Sequence, residues 1–296
     1  MKFAKEFKDY EILEMNCGYK KERWGKYILV RPDPQVIWED KLTLDNVDAY
    51  YHRSDKGGGY WEYLKEIKDS FVINYKDLKF NVKLMGFKHT GIFPEQSVNW
   101  EIMTEKIKNS KRKVKILNLF GYTGCATVAL LKAGASVVHV DSSSGVVALC
   151  KENVVLNNLQ DKDIRYIVED VRKFVQREIR RGNKYDGVLM DPPSFGRGKN
   201  KEVWDINKDL FNLVKDATEI LSDDPLFFII NTYTTGLSKT VLEDILNLTV
   251  SKKYKGKLES GEIGIPMENS KLVLPCGIYG RWEKWDSWDS PKMSHF

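Results

Sequence analysis

From Val114 onward, short apolar runs alternate with segments of helical spacing. Val114, Ile116, Leu117 and Leu119 form the first run, which has the length of a strand. Gly121 and Gly124 break it, and Ala126, Val128, Ala129 and Leu130 follow at helical intervals. The unit repeats: strands are predicted over 136–140, 164–168, 185–190 and 226–230, and helices over about 145–158, 171–181, 203–221 and 238–250. The last two runs, about 257–265 and 272–282, have no helix between them. A strand–helix series of this kind predicts an α/β fold with a mainly parallel sheet that closes in an antiparallel hairpin.

The first 84 residues follow a different pattern. Strands are expected at 27–30, 71–75 and 78–84, with 35–38 continuing extended after the Arg31-Pro-Asp-Pro34 turn and a glycine turn at 57–59. Tyr19, Trp24, Tyr27, Trp38, Tyr51, Tyr60, Trp61 and Tyr63 either fill the core of a small β domain or present rings to bases; packing is the ordinary fate of strand aromatics. Residues 86–96 are irregular, and 97–108 read as a helix. The expected organisation is a small β-rich domain over 1–84, with RNA binding as one possible role, a second domain over 85–285, and a polar tail over 286–296.

Composition narrows the class. The chain has 296 residues, of which 42% are hydrophobic, enough for a sizeable core. No apolar run reaches the ~20 residues that span a bilayer, and no signal-peptide stretch is evident. The four cysteines, Cys17, Cys125, Cys150 and Cys276, show no CxxC pair, and the four histidines show no HExxH. Reduced thiols in a cytoplasmic protein without a metal site are expected. The net charge of +5 is compatible with an anionic partner without identifying one. Lys106, Lys108, Lys111, Arg112, Lys113 and Lys115 read as a solvated helix end, as do Arg177, Arg180, Arg181 and Lys184.

The chemistry gathers where strands end. The first strand runs into the glycine turn, the second into Asp141, the third into Asp170, and the fourth into Asp191-Pro-Pro-Ser-Phe195. In a parallel sheet these ends share one crevice, where small ligands bind. A glycine turn there offers backbone N–H groups, with Gly121 allowing positive φ or close approach and Gly124 allowing the helix to start tightly against the ligand. A carboxylate such as Asp141 can accept both hydroxyls of a ribose. A single strand-terminal Asp is usually a helix cap, whereas three beside a glycine turn suggest a site.

These stretches resemble the motifs of class I S-adenosylmethionine (SAM)-dependent methyltransferases, whose domain is a Rossmann-like seven-stranded sheet. More narrowly, Gly91-Ile-Phe-Pro-Glu-Gln96, Leu117-Asn-Leu-Phe-Gly-Tyr-Thr-Gly124 and Met190-Asp-Pro-Pro-Ser-Phe-Gly-Arg-Gly198 are similar to a bacterial family related to the large-subunit rRNA methyltransferases that modify cytosine C5 or guanine N7. The resemblance covers about 85–282. It implies SAM as cofactor, with S-adenosylhomocysteine (SAH) as product. Asn118, Phe120, Gly121, Tyr122, Thr123 and Gly124 would hold the methionine half, Asp141 and Ser142 the ribose, and Asp170 the adenine. Phe93 and Gln96 would close over the cofactor. Asp191, Pro192 and Phe195 would face the transferred methyl and the target base, and Ser194, Arg197 and Lys199 would contact the substrate. Lys201 extends that basic loop.

One departure from the family pattern bears on the reaction. Methylation at cytosine C5 needs a thiolate that adds to C6. Where relatives place that cysteine, this chain has Ser194 and Asn231-Thr-Tyr-Thr-Thr235. Cys125 and Cys150 read as structural, and Cys276 is a weak candidate. Nitrogen methylation is therefore favoured, with RNA, ribosomal RNA above all, as the expected partner and no membrane. The competing readings are methylation of a protein or small molecule, a nucleotide-dependent oxidoreductase, and a non-catalytic RNA-binding protein on a relic SAM fold. The sequence leaves monomer or homodimer open.

Overall fold

The computed structural model describes residues 1–4, 6–54, 58–86, 88–198 and 202–285. Lys199, Lys201, one glycine of the 57–59 turn and the tail over 286–296 lie outside the described residues.

The chain opens with a short strand β1 (Lys2–Phe3). It is followed by β2 (Tyr10–Asn16), β3 (Tyr19–Trp24), β4 (Tyr27–Pro32), β5 (Ala49–Arg53) and β6 (Gly59–Tyr63), which pair in sequence order as a five-stranded sheet. β7 (Phe71–Tyr75) and β8 (Leu78–Val82) form a separate hairpin. The segment over 35–38, expected to be extended, belongs to no strand. It folds back instead, with Gly18 N donating to Val36 O and Cys17 N to Trp38 O. Most of the aromatics pack: Trp24, Tyr27 and Tyr51 are buried. Tyr60 and Tyr63 are the exposed ones.

A 3-10 turn (Pro94–Gln96) leads into α1 (Ser97–Ser110). The alternating series then runs β9 (Lys115–Leu119), α2 (Cys125–Lys132), β10 (Ser136–Asp141), α3 (Ser144–Leu156), β11 (Ile164–Val168), α4 (Val171–Arg180) and β12 (Gly187–Met190). After β12 a small hairpin, β13 (Phe195–Arg197) and β14 (Val203–Asp205), precedes α5 (Ile206–Glu219). The series ends with β15 (Phe227–Thr232), α6 (Lys239–Leu248), α7 (Val250–Lys253), β16 (Lys257–Pro266) and β17 (Val273–Glu283). The helix expected from Val203 thus begins three residues later. Val203–Asp205 pairs with Phe195–Arg197, and the Asp205 carboxylate then caps α5 through Asn207 N at 3.1 Å.

The large sheet has the order β1-β16-β17-β15-β12-β9-β10-β11. Every neighbouring pair is parallel except those made by β17. The seven expected strands are present, and β1 adds an eighth, Lys2 and Phe3 pairing with Ile263 and Gly264. Central strands read as continuous apolar runs because helices cover both faces: Ile116, Leu117 and Leu119 are all fully buried. The chain runs outward from β9 through β10 to β11, then crosses back to β12 on the other side of β9. That reversal parts the connecting loops above β9 and β12 and opens a crevice at their carboxyl ends.

Candidate active site

The loop after β9 is shaped by three left-handed residues in alternation: Phe120 at φ 55°, Tyr122 at φ 51° and Gly124 at φ 81°. Gly121 is not one of them. Its requirement is space, because a Cβ there would lie 2.4 Å from the ring of buried His139. A Cβ on Gly124 would lie 2.2 Å from Cys150 Sγ of α3, so this glycine makes room for the helix layer while it lines the small cleft under the loop. Beneath the loop, Asn118 Nδ2 donates to Thr127 Oγ1 at 3.0 Å and Asn153 Nδ2 donates to Thr123 O at 2.9 Å. The Thr123 hydroxyl donates to Gly91 O, joining this loop to the one before α1. His139 shares a hydrogen bond with Thr127 through Nδ1, and burial lowers its pKa to about 4, so it stays neutral.

Asp141 closes β10. Its Oδ2 accepts from Tyr122 N at 3.1 Å and its Oδ1 from Ser143 N at 2.9 Å, which fixes the carboxylate toward the crevice. Each oxygen keeps lone-pair capacity for a further donor. Burial raises its pKa, opposed by those backbone hydrogen bonds. Asp170 is placed differently. Its carboxylate caps α4, accepting from Arg172 N at 3.0 Å and Lys173 N at 3.2 Å, and pairs with the Arg172 guanidinium at 3.0 Å. It does not line the crevice, and its hydrogen-bonding capacity is largely spent on its own helix.

The crevice is a cavity of about 510 Å³. Asp141, Ser142, Phe120, Tyr122, Phe93, Asp191, Pro192 and Ser194 all reach it, so the structure brings these expected site residues together. A smaller cleft of about 50 Å³ runs under the glycine loop past Gln96, Asn118 and Gly121. Phe93, Phe120, Tyr122 and Asp191 line both spaces and mark their junction. Phe93 stacks on Tyr233 with centroids 5.3 Å apart and packs on Tyr122 at the same distance.

At that junction Gln96 Nε2 donates to Asp191 Oδ2 at 3.3 Å and to the Tyr233 hydroxyl at 2.9 Å, while Gln96 Oε1 accepts from Asn99 at 2.8 Å. Asp191 Oδ1 and Asn231 Nδ2 are both buried and make no hydrogen bond of ordinary geometry, although the Asn231 amide stands beside the Asp191 carboxyl and favours its ionised form. Burial, reinforced by the charge of Glu95, raises the Asp191 pKa to about 8. Burial likewise raises that of Glu95. The Pro192-Pro193 turn is anchored by Trp204 Nε1, which donates to Pro193 O at 2.6 Å, and Ser194 Oγ is 2.8 Å from Thr234 Oγ1. Phe195 stands outside the cavity lining, 55% exposed on β13, with the Arg197 guanidinium 6.0 Å from its ring.

Sequence reasoning missed one wall entirely. Lys20, Arg31, Asp33 and Gln35 from the N-terminal sheet and its following turn, together with Lys88 and His89, line the same cavity. Glu22, fully buried, organises this wall: Arg31 Nε reaches its Oε2 at 2.6 Å, Lys20 lies 3.4 Å from it, and the Tyr10 hydroxyl donates at 2.7 Å. Although burial opposes ionisation, Arg31 and Lys20 hold the Glu22 pKa down at about 2. Lys88 adopts φ 64°, donates to Pro32 O at 2.9 Å, and is lowered by burial to about 8. The only advance signal was the charged residues on β3 and β4, where alternation hides which face meets another domain. Cys276 of β17 also lines the cavity, and burial together with Glu95 pushes its thiol well above the ordinary value. The basic stretches read as solvated are largely tied up in pairs, such as Arg112 with Asp186 at 2.8 Å.

A model of the S-adenosylmethionine-dependent methyltransferase family matches residues 46–262. The chain belongs to this family. It is similar to a SAM-dependent methyltransferase from Agrobacterium tumefaciens, at 33% identity and a TM-score of 0.89, over 96% of this chain and 93% of that one. It is 28% identical to the ribosomal RNA large subunit methyltransferase K/L of Shewanella sp. strain MR-4 across 246 residues, 79% of this chain and 33% of that protein. The chain thus spans about a third of the length of the curated relatives it matches. The M. jannaschii tRNA m1G37 methyltransferase shares the fold at 13% identity and a TM-score of 0.54, over 93% of this chain and 74% of that one.

The residues present fit SAM, the family's cofactor. Asp141 has lone pairs free for a diol, and aromatic rings flank the junction. Asp191, a carboxyl without an ion-pair partner among the described residues, lines both spaces, where a cation can settle. Among the described residues, no helix is long and apolar enough to cross a membrane.

Proposed function

We propose that this chain methylates a base of RNA, ribosomal RNA first, at a nitrogen. The observation that carries the reading is Asp191, which lines both the small cleft and the larger cavity and is held by Gln96. Bound SAM supplies an electrophilic methyl, and catalysis then depends on alignment and exclusion of water. Asp191 and the Pro192 carbonyl are the acceptors that orient an N–H of the target and leave its lone pair facing the methyl. Gln96 holds Asp191 in place, and Asn99 holds Gln96. Asp141 binds the ribose, with Ser142 beside it. Phe93, Asn118, Phe120, Gly121, Tyr122, Thr123 and Gly124 form the remaining cofactor walls. Asp170 supports the adenine end by fixing the start of α4.

Three observations favour a base in RNA over a small molecule. The cavity wall carries Lys88 from the loop after β8, without a carboxylate partner among the described residues, beside Lys20 and Arg31 that pair with Glu22, and a cation there suits a phosphate-bearing substrate. Phe195 and Arg197 present a ring and a charge beside the opening, a pairing suited to an extruded base and its phosphate. The relatives' rRNA names point the same way. Nitrogen is favoured over carbon because the only cysteine facing the cavity among the described residues, Cys276, is held as a thiol rather than a thiolate. The division near residue 84 is part of this proposal, with the first unit acting as the substrate-facing half.

The test is transfer of labelled methyl from SAM to total RNA from a strain lacking the protein, followed by mapping of the modified nucleotide. Label recovered as an N-methyl base in large-subunit rRNA is expected. Label recovered as 5-methylcytosine would overturn the choice of nitrogen. Label confined to protein would overturn the choice of RNA.

A further inference from the structure

Glu95, which is buried, and Asp191, which is half-buried, line one cavity, and neither has an ion-pair partner among the described residues. The cations nearest to Glu95, Lys20 and Arg31, are already committed. Lys20 pairs with Glu22 at 3.4 Å and Asp33 at 3.1 Å, and Arg31 pairs with Glu22 at 2.6 Å. Tyr233 at the end of β15 and Cys276 on β17 face the pair and are held neutral by burial, and Tyr10, Lys88, His89, Tyr122 and Asp141 line the same cavity. From the helix side come only the neutral amides of Gln96 and Asn99, and from β15 that of Asn231.

Gln96 donates both to Asp191 and to the Tyr233 hydroxyl, and the Tyr233 phenol lies close enough to Glu95 to feel its charge. Asn99 fixes which end of the Gln96 amide points at Asp191. Asp191 itself lines both spaces, with the Asn231 amide beside its carboxyl. Two like charges packed this way without a counter-cation cannot both ionise readily. A cationic ligand at the junction supplies what is missing.

We propose that Glu95 and Asp191 act as a charge sensor for the cofactor, expelling a proton when cationic SAM enters and recovering one when neutral SAH is left. The idea rests on SAM being the cofactor and does not depend on the RNA reading. It gives the site a preference for fresh cofactor over spent product. At a nitrogen acceptor the atoms balance. The C–S bond breaks with its electron pair going to sulfur, the nitrogen lone pair forms the new N–C bond, and the N–H proton passes to the Asp191 carboxylate. SAH then leaves a protonated pair, and the next SAM drives that proton into solvent.

The experiment is titration calorimetry of the full chain with SAM and with SAH, without RNA, in phosphate, imidazole and Tris at pH 7. Buffer dependence of the heat counts protons, and the cofactor's own amino group, common to both ligands, cancels in the difference. SAM should release on the order of half to one proton more than SAH, and the SAM-to-SAH affinity ratio should rise by up to about tenfold per pH unit between pH 6 and 8. Asp191→Asn should abolish both effects, with retained SAH binding confirming its fold. Glu95→Gln should diminish them, because Asp191 is then already ionised in the free protein. Equal proton counts for the two ligands in the unsubstituted protein would overturn the proposal, as would a pH-independent ratio. Failure of SAM to bind at all would overturn the cofactor assignment itself.

Discussion

Gln96 Nε2 lies 3.3 Å from Asp191 Oδ2, so a residue just before α1 fixes the carboxylate that ends β12. Ninety-five positions separate the two in the chain. The contact sets one oxygen of Asp191, and the Asn231 amide stands beside the carboxyl. Asp191→Ala is expected to cut turnover by on the order of 10²-fold or more, the scale of losing a positioned proton acceptor. SAH affinity should change little, because no assigned SAH contact is removed. Stopped-flow methyl transfer beside calorimetry checks both, and loss of SAH binding in a folded variant would move Asp191 to the cofactor site.

Phe195→Ala is expected to weaken RNA binding by roughly 1–3 kcal/mol, the worth of one stacked base, while leaving SAM affinity intact. Its exposure means the fold does not need the ring. Filter binding against the mapped RNA decides the matter, and an unaltered RNA affinity would assign Phe195 no part in recognition.

Asp141→Ala should lose roughly 2–4 kcal/mol of SAM affinity, the value of a charge-assisted hydrogen-bond pair. The carboxylate also organises Tyr122 N and Ser143 N. Unchanged calorimetric affinity in a variant with native circular dichroism would remove it from the site.

Cys276→Ser should keep full methyl transfer, and the protein should not be trapped on RNA containing 5-fluorocytosine. The thiol faces the cavity, yet burial and Glu95 hold it protonated. A covalent adduct visible on a denaturing gel would contradict this.

Glu22→Gln should destabilise the protein by about 3–5 kcal/mol, the cost of stranding a buried partner, here Arg31. The sign with pH follows from a depressed carboxyl. Glu22 stabilises fully above its ordinary value near 4.5, and the contribution fades as pH falls toward about 2. Urea melts at pH 7 and pH 3 should therefore differ less for Glu22→Gln than for the unsubstituted chain. Equal pH dependence would show that Glu22 carries no such linkage.

Local pattern alone determined most of the large sheet. Apolar runs such as Ile116 to Leu119, the glycine turn and the strand-end carboxylates mark strands, crossover helices and crevice, because burial on both faces forces continuous apolar runs and a tight turn forces glycine. Asp141 and Asp191 could be placed at the crevice from strand ends by themselves. The tertiary structure decided what those residues meet. Gly121 answers to the His139 ring and Gly124 to Cys150, partners on other elements that no turn motif names. Asp170 caps α4 through Arg172 N and Lys173 N, spending on its own helix the capacity that its place at a strand end suggested for a ligand. Strand Val203–Asp205 formed because Phe195–Arg197 lay opposite, a pairing that helical propensity could not foresee. The wall of Lys20, Arg31 and Lys88, and the meeting of Glu95 with Asp191 at one cavity, arise from surfaces distant in sequence being pressed together. Hydrophobic periodicity says which face of an element is covered, and only the docked chain says which charges are buried with it.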